Sequence, residues 1–252
     1  MAADRAHALT RGGALAAFVV GSVTYASGGI PFTAILLAFF VPSVAVSRIG
    51  RTRKRALVDI GKGGPRDALQ VLANGGVATA CALGFALTHE YRWAWAFAGA
   101  YAAATADTWA TEIGTLARGR PRSIFSLRPV ATGMSGGITV AGTAAEIAGA
   151  AWLGLIALVC LPAGAAGVAS RPGALAFLGV AVAGIAGATI DSLLGASVQE
   201  LRYCADCERS CETDPHLCGA PTRLVRGLRG VTNDAVNLLA TAAGALVGFA
   251  FG

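Results

Sequence analysis

The chain has 252 residues, of which 55% are hydrophobic and only 13% charged, against roughly 25% charged residues in soluble domains. Mean hydropathy is +0.62, and the formal net charge is +6. This composition excludes an ordinary soluble domain, and because the cations fall in short segments between apolar runs, it argues against a nucleic-acid surface and for anionic lipid headgroups.

Apolar runs at 12–26, 28–46, 68–89, 93–117, 133–161, 173–195 and 232–251 give seven candidate spans, a bilayer crossing taking roughly 20 residues of helix, for which 12–26 is short. The expected fold is an all-α polytopic helix bundle of six or seven transmembrane helices, forming a single membrane domain over 1–252. No small-residue cleavage site of a signal peptide follows the first run. That run and the next are separated only by Ser27, Gly28 and Gly29, so they are either two spans or one bent span. The 34 glycines and abundant alanines suit helices whose backbones approach closely.

The segment 47–67 carries seven cations, of which Arg48, Arg51, Arg53, Lys54 and Arg55 suffice as a positive-inside anchor, while Lys62 and Arg66 stand at the entrance to the third span as candidate phosphate ligands. Gln70 and Asn74 follow one turn apart. The fourth span holds Asp107 and Glu112, which diverge by about 140° on a helix and so serve different roles; Asp107 shares a face with Thr111, and Thr108 with Glu112. After Arg118, Arg120, Arg122 and Arg128 comes TGMSGGITVAGT, where Gly133, Ser135, Gly136 and Gly137 open the fifth span as a possible anion cradle at a helix N-terminus. Glu146 is expected deeper, near the middle of that span. Asp191 lies near the end of the sixth span, and Asn233, Asp234 and Asn237 open the seventh.

Between the last two spans, a Cys-rich loop at about 200–230 places Cys204, Cys207, Cys211 and Cys218 in a C-x2-C-x3-C-x6-C spacing, with His216 two residues before the last. Reduced thiols in a cytoplasmic loop favour a small tetrahedral Zn²⁺ site over disulfides, although a single CxxC pair leaves the zinc open. Such a site is expected to be structural and remote from the chemistry. Cys81 and Cys160 lie in apolar runs and read as packing residues.

Assigned alternately to two sides, the segments 1–11, 47–67, 118–132 and 196–231 hold 18 of the 20 Lys and Arg residues, which leaves Arg92 and Arg171 opposite. The Arg-rich side is then cytoplasmic. Asp107, Asp191, Asp234 and the amides of Asn74 and Asn237 converge just inside that face. Carboxylates in hydrocarbon mark a functional interior, and several together with few cations at their depth repel one another unless a cation intervenes. Oxygen donors point to Mg²⁺ held together with substrate phosphates.

The runs QVLANGG (70–76), ADTWATEIG (106–114), GMSGGITVAGT (133–143), GATIDSLLGASVQ (187–199) and NDAVN (233–237) resemble the membrane family known as domain of unknown function 92, which includes plant phytyl-phosphate kinase. The same order of motifs is more distantly similar to phosphatidate cytidylyltransferases and to dolichol and phytol kinases. The resemblance covers the chain from about residue 45 onward and implies a nucleotide-dependent enzyme acting on an isoprenoid or lipid monophosphate. Carried over, it puts Asp107 and Glu112 in the first acidic motif, Gly136 and Gly137 in the glycine loop, Asp191 and Ser192 in the second motif, and Asn233, Asp234 and Asn237 in the third.

The leading expectation is a Mg²⁺-dependent kinase of isoprenoid (polyprenyl or phytyl) monophosphates, integral to the cell membrane and using CTP or another NTP at the cytoplasmic face. Asp107, Asp191 and Asp234 would hold the metal, and Glu112 is a further catalytic candidate. Cytidylyl transfer to a lipid phosphate is a second reading. An ion or small-anion transporter is a third, disfavoured because the acidic groups lie near one face rather than at the midplane.

Overall fold

A computed structural model describes residues 9–50, 52, 54, 65–161 and 173–252. Among them are six helices: α1 (Arg11–Arg48), α2 (Ala68–Thr88), α3 (Tyr91–Gly114), α4 (Val140–Cys160), α5 (Gly173–Ser197) and α6 (Asn233–Phe251). Five are long and apolar enough to cross a membrane; α3, which carries Arg92, Asp107 and Glu112, is the exception. The chain is a polytopic membrane protein.

The helix α1 joins both of the first two expected spans. It breaks at Gly29, whose φ of 62° and ψ of −148° are open in practice only to glycine, and Pro31 follows without a backbone N–H. The chain reverses there. Thr10 N–H donates to Arg66 O at 3.0 Å beside the start of α2, whereas Phe32, just past the break, stacks on Phe97 of α3 with ring centroids 4.4 Å apart. Phe39 then stacks on Tyr101, and Lys54 reaches Glu112 back at the Arg-rich end. Both ends of α1 therefore lie at one end of the bundle.

Unlike its neighbours, α3 is buried on every side from Ala96 to Ala106, as a helix enclosed by others must be. Its packing is set by absent side chains. A Cβ on Gly99 would lie 2.4 Å from Gly244 O, one on Gly248 2.4 Å from Trp95 O, and one on Gly187 2.3 Å from Ala103 Cβ. Alanine and glycine thus bring α3, α5 and α6 into backbone contact, the small-residue packing that membrane helices use in place of a hydrophobic driving force. Large apolar side chains such as Phe18, Ile30, Val140, Val159 and Leu246 are exposed around the outside, facing where lipid would lie.

Three differences from the sequence expectation bear on the site. The fifth span does not open at Gly133: Thr139 caps α4 by accepting from Gly142 N, and Gly133–Gly137 belongs to a loop whose end pairs as β2 (Gly137–Ile138) with β1 (Arg122–Ser123). Gln70 is a structural cap, closing a reciprocal capping box with Asp67 at the start of α2. The Cys-rich segment is more ordered than a loop, forming an antiparallel sheet in the order β4 (Arg209–Cys211), β3 (Leu201–Cys204), β5 (Thr222–Arg226).

If the close backbone contact of α3 with α6 holds the bundle, Gly99→Val should overpack it and cost about 1–3 kcal/mol, read as a clear fall in thermal midpoint in detergent. Gly21→Val, whose Cβ meets nothing within 4 Å, should leave the midpoint unchanged.

Candidate functional site

A narrow crevice between the helices is lined by Asn74 of α2, Asp107 with Ala103 and Ala104 of α3, Asp191 of α5, and Asn237, Ala240 and Thr241 of α6. Asn74 and Asp191 each stand six residues from the Arg-rich end of their helices, Asp107 seven and Asn237 four, which places all four at a depth of about 6–11 Å. Glu146 joins them. Because α4 begins at Val140 rather than Gly133, this residue is also six positions in, not at mid-span; it accepts from Thr189 Oγ1 at 3.3 Å and lies within electrostatic reach of Asp107.

Asn74 donates to Gln70 O at 2.9 Å, and Thr241 to Ala73 O at 3.1 Å, which fixes α2 against α6 beside the crevice. Asp191 Oδ2 is shielded from solvent and has no hydrogen-bond partner among the described residues. Carboxylate and amide oxygens with such an unspent acceptor suit a hard divalent cation, Mg²⁺ foremost. Asp234 is buried in the first turn of α6, on the stripe carrying Asn237 and Thr241, but outside the crevice lining. Asn233 beside it is exposed, and Ser192 is half-buried next to Asp191.

The glycine loop docks on the end of α5 rather than on a helix N-terminus. Gly133 and Gly136 have positive φ, and a Cβ on Gly136 would sit 2.3 Å from Ala196 Cβ. Ser135 is the loop's polar centre: Gln199 Nε2 donates to its hydroxyl at 2.9 Å, and that hydroxyl donates to Glu212 Oε1. Glu212 comes from the Cys-rich segment and lies within electrostatic reach of Asp191 and Arg226. Its involvement was not legible in the sequence, where it stands in a polar run with no apolar context. Burial pushes its carboxyl up to about 7, against the pull of Ser135 and Arg226. Arg226 donates to Gly195 O at 2.9 Å and so ties β5 to the same corner.

Of the cationic candidates, Lys62 lies outside the described residues, as does Arg171. Arg66 is half-buried near Glu112 at the mouth of α2, its backbone bonded to Thr10. Glu112 faces away from Asp107, as the helical angle requires, and pairs with Lys54, whose Nζ also donates to Val46 O and Ser47 O. That ion pair straps the end of α1 to α3.

The cysteine cluster differs from the expected four-thiol set. Cys204, Cys207, His216 and Cys218 bring one donor atom each within 4.8 Å of one another, a Cys3His set able to hold a metal such as zinc. Cys211 is excluded by register: it pairs with Arg202 on β3, two residues or about 7 Å along the strand from Cys204, and its thiol donates to Thr213 O. The signal that pointed to His216 was its H-x-C spacing. His216 beside Cys218 pulls that thiol down to about 7.

The family model described as "Integral membrane protein DUF92" matches residues 1–245. This chain belongs to the DUF92 family of integral membrane proteins. Among relatives, it is 32% identical over 247 residues to Protein PGR of Arabidopsis thaliana, covering 90% of this chain and 83% of that protein. It is 28% identical over 246 residues to a membrane protein of Methanocaldococcus jannaschii, covering 97% and 86%, and 28% identical over 190 residues to one of Synechocystis, covering 73% and 69%. No solved structure matches the chain. The DUF92 match runs through all six helices and the Cys-rich sheet, up to the last turns of α6.

Because burial raises Glu212 above the ordinary carboxylate value, its contribution favours the folded state at low pH and is lost as pH rises from about 4.5 through about 7. Glu212→Gln should therefore flatten this part of the profile of thermal midpoint against pH. An unchanged slope would show that other groups set it.

Proposed function

We propose that this DUF92 protein is a Mg²⁺-dependent kinase of isoprenoid or lipid monophosphates, using CTP or another nucleoside triphosphate at the cytoplasmic face of the membrane. The observation that carries the reading is the gathering of Asp107, Asp191, Asn74 and Asn237 in one crevice, with an unpartnered Asp191 oxygen and with the acidic depth confined to the Arg-rich end. In this reading both halves of α1 and each later helix cross the bilayer, giving seven crossings, and the Arg-rich end faces the cytoplasm.

Asp107 and Asp191 would hold Mg²⁺, with the amides of Asn74 and Asn237 beside them and Asp234 at the entrance. When bound, the ion neutralises the charge of the phosphates in the transition state. The protein's own part is positioning. Ser135 and the backbone of Gly133–Gly137 would orient the phosphates, Arg66 and Arg226 would offset their charge, and Lys62 would act at the same mouth. The lipid tail would lie along the apolar outside of the bundle.

The attacking atom is an oxygen of the substrate's monophosphate, already ionised at neutral pH, so no strong general base is needed. It forms a new bond to the terminal phosphorus of the nucleotide, the bond from that phosphorus to the bridging oxygen breaks, and the nucleoside diphosphate leaves. Confinement of the carboxylates to one end favours this reading over transport, for which a coupling site near the midplane is expected.

Purified protein given a lipid monophosphate and CTP labelled at the γ position should yield a labelled lipid diphosphate. Label found only in pyrophosphate would indicate cytidylyl transfer, and an untouched nucleotide would remove the enzyme reading. Asp107→Asn and Asp191→Asn should each lower turnover by about 10²–10³-fold while leaving the protein folded, and Asp234→Asn by less.

A further inference from the structure

The Cys3His cluster and the glycine loop are joined by one short piece of chain. From Cys207, in the β3–β4 turn, the chain runs out along β4, presents Glu212 to Ser135, and returns to His216. Residues 208–215 thus form an excursion that begins and ends at the cluster, with Glu212 at its far point. Zinc ligand bonds of about 2.0–2.3 Å in tetrahedral array require donors about 3.5–3.8 Å apart. Cys204 and Cys218 sulfurs meet that spacing at 3.7 Å, whereas His216 Nδ1, 3.1 Å from Cys218 Sγ, is closer than an ion between them would hold it and would move outward on binding.

We propose that Cys204, Cys207, His216 and Cys218 bind Zn²⁺, and that by pinning both ends of the 208–215 excursion this ion holds Glu212 on Ser135, making Glu212 a positioning residue for the glycine loop. A tether fixed at both ends gives up less freedom on docking than one fixed at a single end. The same sheet carries a second brace, in which Arg202 bonds Asp214 and Thr222, and this brace shapes the stretch after Glu212 without reaching Ser135. The zinc site and its hold on Glu212 stand apart from the kinase reading; only the catalytic consequence of moving the glycine loop rests on it.

The test uses the full chain, purified anaerobically in detergent. Metal analysis should find one zinc per chain, retained by Cys211→Ser and lost in Cys218→Ser. Hydrogen exchange of the amides of 133–138 should be about tenfold faster in Cys218→Ser and in Glu212→Gln, as expected when a hydrogen bond that holds the loop is lost or weakened. Chelator-stripped wild-type protein should show the same acceleration and regain protection when Zn²⁺ alone is returned, which covers the case in which the cysteine variant folds poorly. Equal exchange with and without zinc, or zinc that depends on Cys211, would overturn the proposal. In the activity arm, Glu212→Gln keeps its zinc and loses about tenfold in kcat/KM through nucleotide KM, whereas in Ser135→Ala protein the same change costs nothing further. Additive losses would make Glu212 no positioning residue. Zinc and exchange behaving as stated in a protein that transfers no phosphoryl group would sink the kinase reading and leave this one intact.

Discussion

Two carboxylates on neighbouring helices must be held at one depth inside an apolar bundle, and most of the architecture answers that constraint. An aspartate in hydrocarbon is costly unless it faces an interior that can compensate it. Asp107 faces such an interior because α3 is enclosed by the other helices, and α3 can be enclosed because its contact surface is nearly all alanine and glycine. The same close approach brings Asp191 and Asn237 to the crevice from α5 and α6, and the hydrogen bond from Thr241 to Ala73 O fixes α2, and with it Asn74, beside them. Small residues and inward-facing carboxylates are therefore two sides of a single packing solution.

The extramembrane parts at the Arg-rich end close over that solution from above. The glycine loop is seated on the last turn of α5, Gln199 and Glu212 share Ser135, and Arg226 grips Gly195. Lys54 with Glu112, and Thr10 with Arg66, tie the two ends of α1 to the same rim. The cysteine-rich segment contributes Glu212 to this corner, within electrostatic reach of Asp191.

What was legible in the sequence was what periodicity and transfer free energy report: apolar runs, their charged flanks, and the intramembrane residues Asp107, Asp191, Asn74 and Asn237 at one depth. Whether the runs before residue 47 were two spans or one bent span was open in the sequence, and the break at Gly29 within α1 is what separates them. Boundaries were less so. An apolar Ile138–Val140 stretch hides the true start of α4 at the Thr139 cap, and that error displaced Glu146 toward mid-membrane and lent the glycine loop a helix N-terminus it lacks. Long-range partners were not legible at all. Nothing in the composition around Glu212 separates it from a solvated loop glutamate, and the choice of His216 over Cys211 depends on strand register, which spacing alone does not encode.

The proposed chemistry requires that the crevice lined by Asp107 and Asp191 hold a divalent cation. Paramagnetic resonance of Mn²⁺ titrated into protein whose cysteine cluster is already zinc-loaded tests this without any assumption about substrate. One Mn²⁺ per chain should bind, displaced by Mg²⁺ and lost in Asp107→Asn and in Asp191→Asn. Mn²⁺ binding that survives in the double variant, or that is absent from the folded wild-type protein with nucleotide present, would contradict it.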